Sequence, residues 1–224
     1  MTSSPFDPAG AEALGDVHAA TAIATPLRAD AFALSDEAKI AAIAPLFGQI
    51  MDVIGLDRSD ESLAGTPHRV AKMYVQEIFR GLNPEHMPEA RSFPNDYGYG
   101  EMLIERDIAV HSTCEHHFLP ISGRAHLAYK SNGRVIGLSK LNRIVDHFAR
   151  RPQVQERLTR QIAEALREAL GTEDVAVVID AHHFCVSSRG IGDPHSSTVT
   201  AEYLGAFRNP EVRREFFALA GLRM

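Results

Sequence analysis

The chain has 224 residues, enough for one large domain or a domain with an appendage. Its hydrophobic share of 45% and charged share of 23% are ordinary for a globular protein, and no apolar run approaches the length of a membrane span. A formal net charge of −6 argues against broad binding to nucleic acid or anionic membranes, so an anionic ligand would need a local cluster of Lys and Arg.

Residues 1–34 are rich in Ala, Ser, Pro and Asp with weak periodicity, and are expected to form a mobile tail with a short helix near Ala11–Ala20. They do not resemble a transit peptide, and no secretory signal precedes the cysteines, which points to a cytoplasmic protein with reduced thiols. One domain is expected over 35–224, with a helical part at 35–100 and the strands from 101 onward. Ser35 opens a helix with Ile40, Ile43, Phe47, Ile50 and Ile54 roughly in register, which Pro45 and Gly48 should kink or divide. A second helix starts with Thr66 as N-cap and Pro67 in its first turn, has Val70, Met73, Tyr74, Ile78 and Phe79 on its apolar face, and ends at Gly81. Arg69 and Lys72, three apart, share another face of it.

Residues 82–100 read as a long connection. Met102, Ile104, Ile108 and Val110 alternate as in a strand, with a break at Asp107. Ser131-Asn132-Gly133 between 124–130 and 134–138 signals a hairpin. Ser139 caps a helix whose apolar face is Leu141, Ile144, Val145 and Phe148, with Lys140, Arg143 and His147 off that face. Pro152 begins the next helix, with Val154, Leu158, Ile162, Ala165, Leu166 and Ala169 buried and Gly171 as its stop. A strand over 175–187, another near Ser197–Tyr203 and a helix from Asn209-Pro210 complete the order. This is an α+β pattern with an antiparallel sheet.

Residues 111–120, HSTCEHHFLP, crowd Cys114, Glu115, His116 and His117 together. Consecutive residues cannot all face one metal. Cys114 and His117, however, have the two-residue separation at which zinc ligands converge in a turn, provided the chain bends there. The chain's only other cysteine is Cys185. If the strand runs to 187, alternation puts His183 and Cys185 on one face and His182 on the other. Two cysteines and one histidine leave a fourth zinc position for water, as catalytic sites do, whereas a fourth His would close a structural site. Spacing alone does not separate these readings.

CEHHF at 114–118, VIGLSKLNRIV at 135–145, RPQVQERLT at 151–159, HHFCVSSRG at 182–190 and TPHRVAKMY at 66–74 together resemble GTP cyclohydrolase I. The resemblance runs from about residue 36 to about 217. It implies a zinc enzyme of the tunnelling fold that turns GTP into 7,8-dihydroneopterin triphosphate and formate. It also implies a homodecamer of two pentameric rings whose strands join in a barrel, with active sites between subunits. By motif position Cys114, His117 and Cys185 are the implied zinc ligands, and His116 and His183 the implied catalytic histidines. Glu156 is the implied guanine carboxylate, with Gln155 as its helper. Lys140, Arg143 and Arg189 are the implied triphosphate residues, supported by Ser139, Arg69 and Lys72. Glu115 is expected to accept a hydrogen bond in support of the ligands. The competing readings are a closed, non-catalytic zinc module and another pterin or deazapurine enzyme on the same fold.

Overall fold

The computed structural model describes residues 22–222, so the helix expected near Ala11–Ala20 lies outside the described residues. Within the expected tail, Ala22 and Ile23 are tied down: their carbonyls accept hydrogen bonds from Arg157 Nε at 3.2 Å and Gln161 Nε2 at 2.6 Å. Helix α1 (Asp36–Val53) follows, its N-terminus closed by Ser35 Oγ accepting from the Ala38 amide. Neither Pro45 nor Gly48 divides α1, which runs unbroken through both. A missing amide removes one ladder bond, and the bonds on either side together with packing on α3 keep the helix continuous. Ile40 and Met51 are buried, but Ile50 and Ile54 are exposed.

A one-turn helix α2 (Glu61–Ala64) leads into α3 (Thr66–Met73). The cap of α3 is Gly65 and not Thr66, because the chain is already helical one residue earlier. A π-turn (Tyr74–Ile78) and a 3-10 turn (Arg80–Leu82) extend α3. Gly81 is required there, since a Cβ would meet the His147 carbonyl oxygen at 2.0 Å.

The sheet comprises β2 (Met102–Cys114), β3 (Pro120–Lys130), β5 (Pro152–Gln153), β6 (Val175–His183) and β7 (Thr198–Tyr203), in the order β5-β2-β3-β6-β7. All pairings are antiparallel except the short parallel contact of β2 with β5. Asp107 does break β2: the register shifts between Glu105 and Ile108, and Asp107 takes φ +60. The expected hairpin around Asn132-Gly133 does not form as a ladder. Both edges of β3 are already taken by β2 and β6, so β4 (Arg134–Ile136) pairs instead with β1 (Ser92–Pro94).

Helices α4 (Leu138–Ala149) and α5 (Gln155–Leu170) cover one face of the sheet. Val177, Ile179 and Ala181 of β6 meet Leu158, Ile162 and Leu166 of α5 in the main core. Ala176 and Val178 face the opposite way, into a smaller core with Phe207 and with Phe216 of α7 (Pro210–Ala220). Burial on both faces explains the unbroken apolar run VAVVI. Gly171 ends α5 at φ +62 and Asn209 caps α7, as expected.

Three further boundaries differ from the expectation. Pro152 lies in β5 and α5 starts only at Gln155, because β2 offers its edge to Pro152 and Gln153. Helix α4 starts at Leu138 with Gly137 as its cap, so Ser139 lies in the first turn. Strand β6 stops at His183, and residues Phe184–Ser187 form a one-turn helix, α6.

His147 is also not off the buried face: it is 5% exposed. Its Nε2 accepts from an Arg151 guanidinium nitrogen at 2.6 Å, and Arg151 Nε donates to the Gly81 carbonyl at 2.7 Å. Burial, reinforced by Arg151, pushes the imidazole down to about 4, while a backbone hydrogen bond at His86 and the charge of Asp146 pull the other way. A depressed histidine is protonated first in the unfolded chain, so stability is full above the unfolded value of about 6.5 and falls as pH drops toward about 4. Urea unfolding at pH 7 and pH 5 is expected to show about 2 kcal/mol more acid loss in the parent chain than in His147→Gln.

Candidate metal centre and active site

The bend that the Cys114–His117 spacing requires is a five-residue turn between β2 and β3. The Cys114 amide donates to the Leu119 carbonyl at 2.8 Å and the Phe118 amide to the Cys114 carbonyl at 2.9 Å. Phe118 closes the turn at φ +54, a conformation that costs a bulky residue on the order of 1 kcal/mol or more. Its ring packs edge-on against Phe79, with centroids 5.3 Å apart, and Phe79 stacks on Tyr74.

The ladder brings Cys185 to this turn. Thr113 pairs with Pro120 and Ile121 with His183, so β2 and β6 end at the same level on either side of the start of β3. Helix α6 then carries Cys185 back toward Cys114. One donor atom from each of Cys114, His117 and Cys185 lies within 4.8 Å of the others. Two sulfurs and an imidazole so spaced suit zinc, whose tetrahedral bonds of about 2.0–2.3 Å set donors roughly 3–4 Å apart. Burial and the neighbouring Cys114 push the Cys185 thiol up, so a bound cation would relieve two thiolates that disfavour each other. The strand-parity argument for Cys185 is corrected, since Cys185 lies on α6. The residue still lines the same cavity as His183.

A cavity of about 520 Å³ opens beside the cluster, and Cys114, His116, Gln155, Glu156, His183 and Cys185 all line it. Its size is in the range of small-molecule sites. Glu156 is an exposed acid in the first turn of α5. His116 Nδ1 lies 3.7 Å from Cys114 Sγ. His183 Nε2 lies 2.7 Å from Gln155 Oε1, and burial pushes its pKa down against the opposing charge of Glu156. His182 points elsewhere, its Nδ1 meeting the Ser196 carbonyl at 2.9 Å.

Glu115 does accept hydrogen bonds, and from a source the sequence reading missed. Its carboxylate pairs with Arg157 at 2.5 Å, the two side chains being 21% and 4% exposed. Its amide donates to the Gln153 carbonyl, so the ligand turn is fastened to the start of α5 twice. The signal available in the sequence was Arg157 and Gln161 at four-residue spacing, two polar residues buried on an otherwise apolar helix face. Arg160, Ala22 and Ile23, also missed, complete the cavity wall.

The implied phosphate residues are scattered in this chain. Arg189 donates to His117 Nε2 at 2.8 Å and so stands at the ligand cluster. Arg69 is turned onto the Ser62 carbonyl and Thr66 Oγ1, both at 3.2 Å, and Lys72 is exposed. Ser139, Lys140 and Arg143 sit in the first two turns of α4, with Arg143 bordering a different cavity beside Arg80 and Asp146. None of these five lines the cavity that holds His116 and Glu156.

Glu115→Ala strands a nearly buried guanidinium. Urea unfolding is expected to show a loss of about 3 kcal/mol, most of it recovered in a Glu115→Leu, Arg157→Met double variant.

The family model described as GTP cyclohydrolase I matches residues 43–221. "GTP cyclohydrolase 1" of Flavobacterium johnsoniae is 60% identical over 203 residues, covering 91% of each chain. The proteins of that name from Aeromonas hydrophila and Salmonella arizonae are 52% and 49% identical, each over 205 residues and 92% of its own length. Among solved structures, an archaeosine synthase QueF-like in the apo form aligns with 47% of this chain and 93% of its own, at a TM-score of 0.38 and 19% identity. No helix among the described residues is long and apolar enough to cross a membrane. The sequence matches extend over nearly the whole sheet and both halves of the Cys-His-Cys cluster, and the chain belongs to the GTP cyclohydrolase I family.

Proposed function

We propose that the cavity beside Cys114, His117 and Cys185 receives the guanine end of GTP, with Glu156 reading the base and His116 and His183 moving protons. The chain converts GTP to dihydroneopterin triphosphate. The residue assignment rests on one observation: Glu156 and the two histidines share a single cavity wall with two of the three metal-ligating residues.

Zinc held by the two thiolates and the imidazole supplies Lewis acidity, bringing the pKa of a water molecule to about 7. The residues of the chain do the rest. Both oxygens of Glu156 accept from guanine, one from N1–H and one from the exocyclic amine, a donor pair that adenine lacks. Hydration of guanine across N7 and C8 places oxygen on C8 and a proton on N7. His116 delivers that proton. His183, whose pKa burial pushes down, takes and returns protons as the imidazole ring opens to a formamide and a second water cleaves that formamide, releasing C8 as formate. Rearrangement of the ribose and closure of the pterin ring follow in the same pocket.

The triphosphate is held by Lys140, Arg143 and Arg189 with Ser139, Arg69 and Lys72. None of these lines the cavity of its own chain, and we assign their completion of the site to a neighbouring subunit in a homodecamer of two pentamers. Three features support that assembly. Strand β7 has no second partner among the described residues, and β2 is covered on its outer edge only at Thr113 and Cys114. Leu46, Ile50, Val53 and Ile54 leave an apolar stretch of α1 exposed. Both edges and this stretch suit a barrel of the tunnelling type, closed between subunits. Both cysteines are free, in keeping with a cytoplasmic enzyme.

Purified zinc-loaded protein is expected to release formate and a pterin chromophore from GTP but not from ATP, and to lose both activities with a chelator. Zinc-replete protein yielding neither product would overturn the assignment and favour the closed zinc module. His183→Ala is expected to keep full zinc by elemental analysis while kcat falls roughly 10²–10⁴-fold. Cys185→Ala is expected to lose the metal. A monomer by light scattering would contradict the shared site.

A further inference from the structure

Gln155 is completely buried at the first position of α5. Its amide nitrogen lies 3.1 Å from the Ile179 carbonyl, 2.8 Å from the Thr198 carbonyl and 3.1 Å from Thr200 Oγ1. Two of these three are backbone carbonyls, which only accept. Turning the amide over would set Oε1 against both of them and leave buried acceptors without donors, at a cost of about 1–3 kcal/mol each. The orientation of Gln155 is therefore determined by the ladder between β6 and β7, where Ile179 and Thr200 are register partners. Thr159 Oγ1 strengthens the frame, donating to the Gln155 carbonyl at 2.8 Å and lying 2.6 Å from Thr200 Oγ1.

With the amide so held, Oε1 faces His183 Nε2 at 2.7 Å and has only an acceptor to offer. Nε2 must then be the donor, and Nδ1, which has no hydrogen-bond partner among the described residues, keeps the free lone pair. We infer that Gln155 is a positioning residue that fixes the Nε2–H tautomer of His183 and so makes Nδ1 the nitrogen that exchanges protons with substrate. This rests on the assignment of His183 as an acid/base residue. It changes the role expected for Gln155 from a helper at the guanine edge to a group acting through His183. In each cycle Nδ1 takes a proton and gives it back, while the other proton stays on Nε2, donated to Gln155 Oε1.

The test uses zinc-loaded protein with 15N-labelled histidine, in mildly alkaline buffer where the ring is neutral, studied by solid-state NMR because the assembly is large. The His183 signals are identified by their absence in His183→Asn. A protonated Nε2 and an unprotonated Nδ1 are expected, and the reverse pattern overturns the inference. Gln155→Leu is expected to retain zinc, to mix the two tautomers and to lower kcat roughly 10–100-fold with KM changed less than about threefold. Unchanged kcat, or a loss carried by KM alone, also overturns it, the latter by returning Gln155 to direct substrate contact. If Gln155→Leu does not fold, the spectrum of the parent protein decides. Failure of the His183 assignment itself is distinct: His183→Ala would then keep its turnover whichever tautomer is observed.

Discussion

The register of β3 between β2 and β6 is the constraint from which the site follows. Thr113 is opposite Pro120 and Ile121 is opposite His183, so two strands separated by about sixty residues end beside each other. A shift of one residue in either ladder would turn the end residues to the opposite face and separate the donors. The close fit at Gly123 resists such a shift, because a Cβ there would meet the Asp180 carbonyl oxygen at 2.1 Å. The metal cluster is thus a product of sheet registry, and its two turns add only the final approach.

Around that registry the first turns of α5 act as a second organiser. Gln155 holds His183, Glu156 faces the cavity, and Arg157 holds Glu115 and with it the ligand turn. Three consecutive residues on a helix point in three directions about 100° apart. A helix start placed at the mouth of the cavity can therefore line the cavity, hold the histidine and fasten the ligand turn at once. That requires α5 to begin at Gln155, which the short β5 contact with β2 brings about by holding Pro152 and Gln153 extended.

Much of this was legible in the sequence where a local rule had no competitor. Leu158, Ile162 and Leu166 of the apolar stripe of α5, the stop at Gly171 and the helix start at Asn209-Pro210 came out as read. The ligand pair Cys114 and His117 was visible because only a bend lets the spacing work, and the bend is present. The misses occur where tertiary partners override a local signal. Asn132-Gly133 is a sound turn, but the strand before it already had two neighbours. His147 looked like a surface residue because its burial depends on Arg151 and on Gly81 arriving from another element. The sequence places Gln155 as a helper beside Glu156 and does not single out Arg157, since their partners Ile179, Thr198 and Glu115 are remote in sequence.

The left-handed turn at Phe118 links the two halves of the molecule mechanically. Its backbone is held in a conformation it would leave if free, and the brace is the Phe79 ring at the end of the helical stretch that follows α3. Phe79 leans in turn on Tyr74 in the π-turn. A displacement of that N-terminal stretch would slacken the brace before it reached any ligand atom, and the turn carrying His117 would be the first part of the site to yield. The helical half of the chain thus braces the metal-binding half, from a position some forty residues before its first ligand.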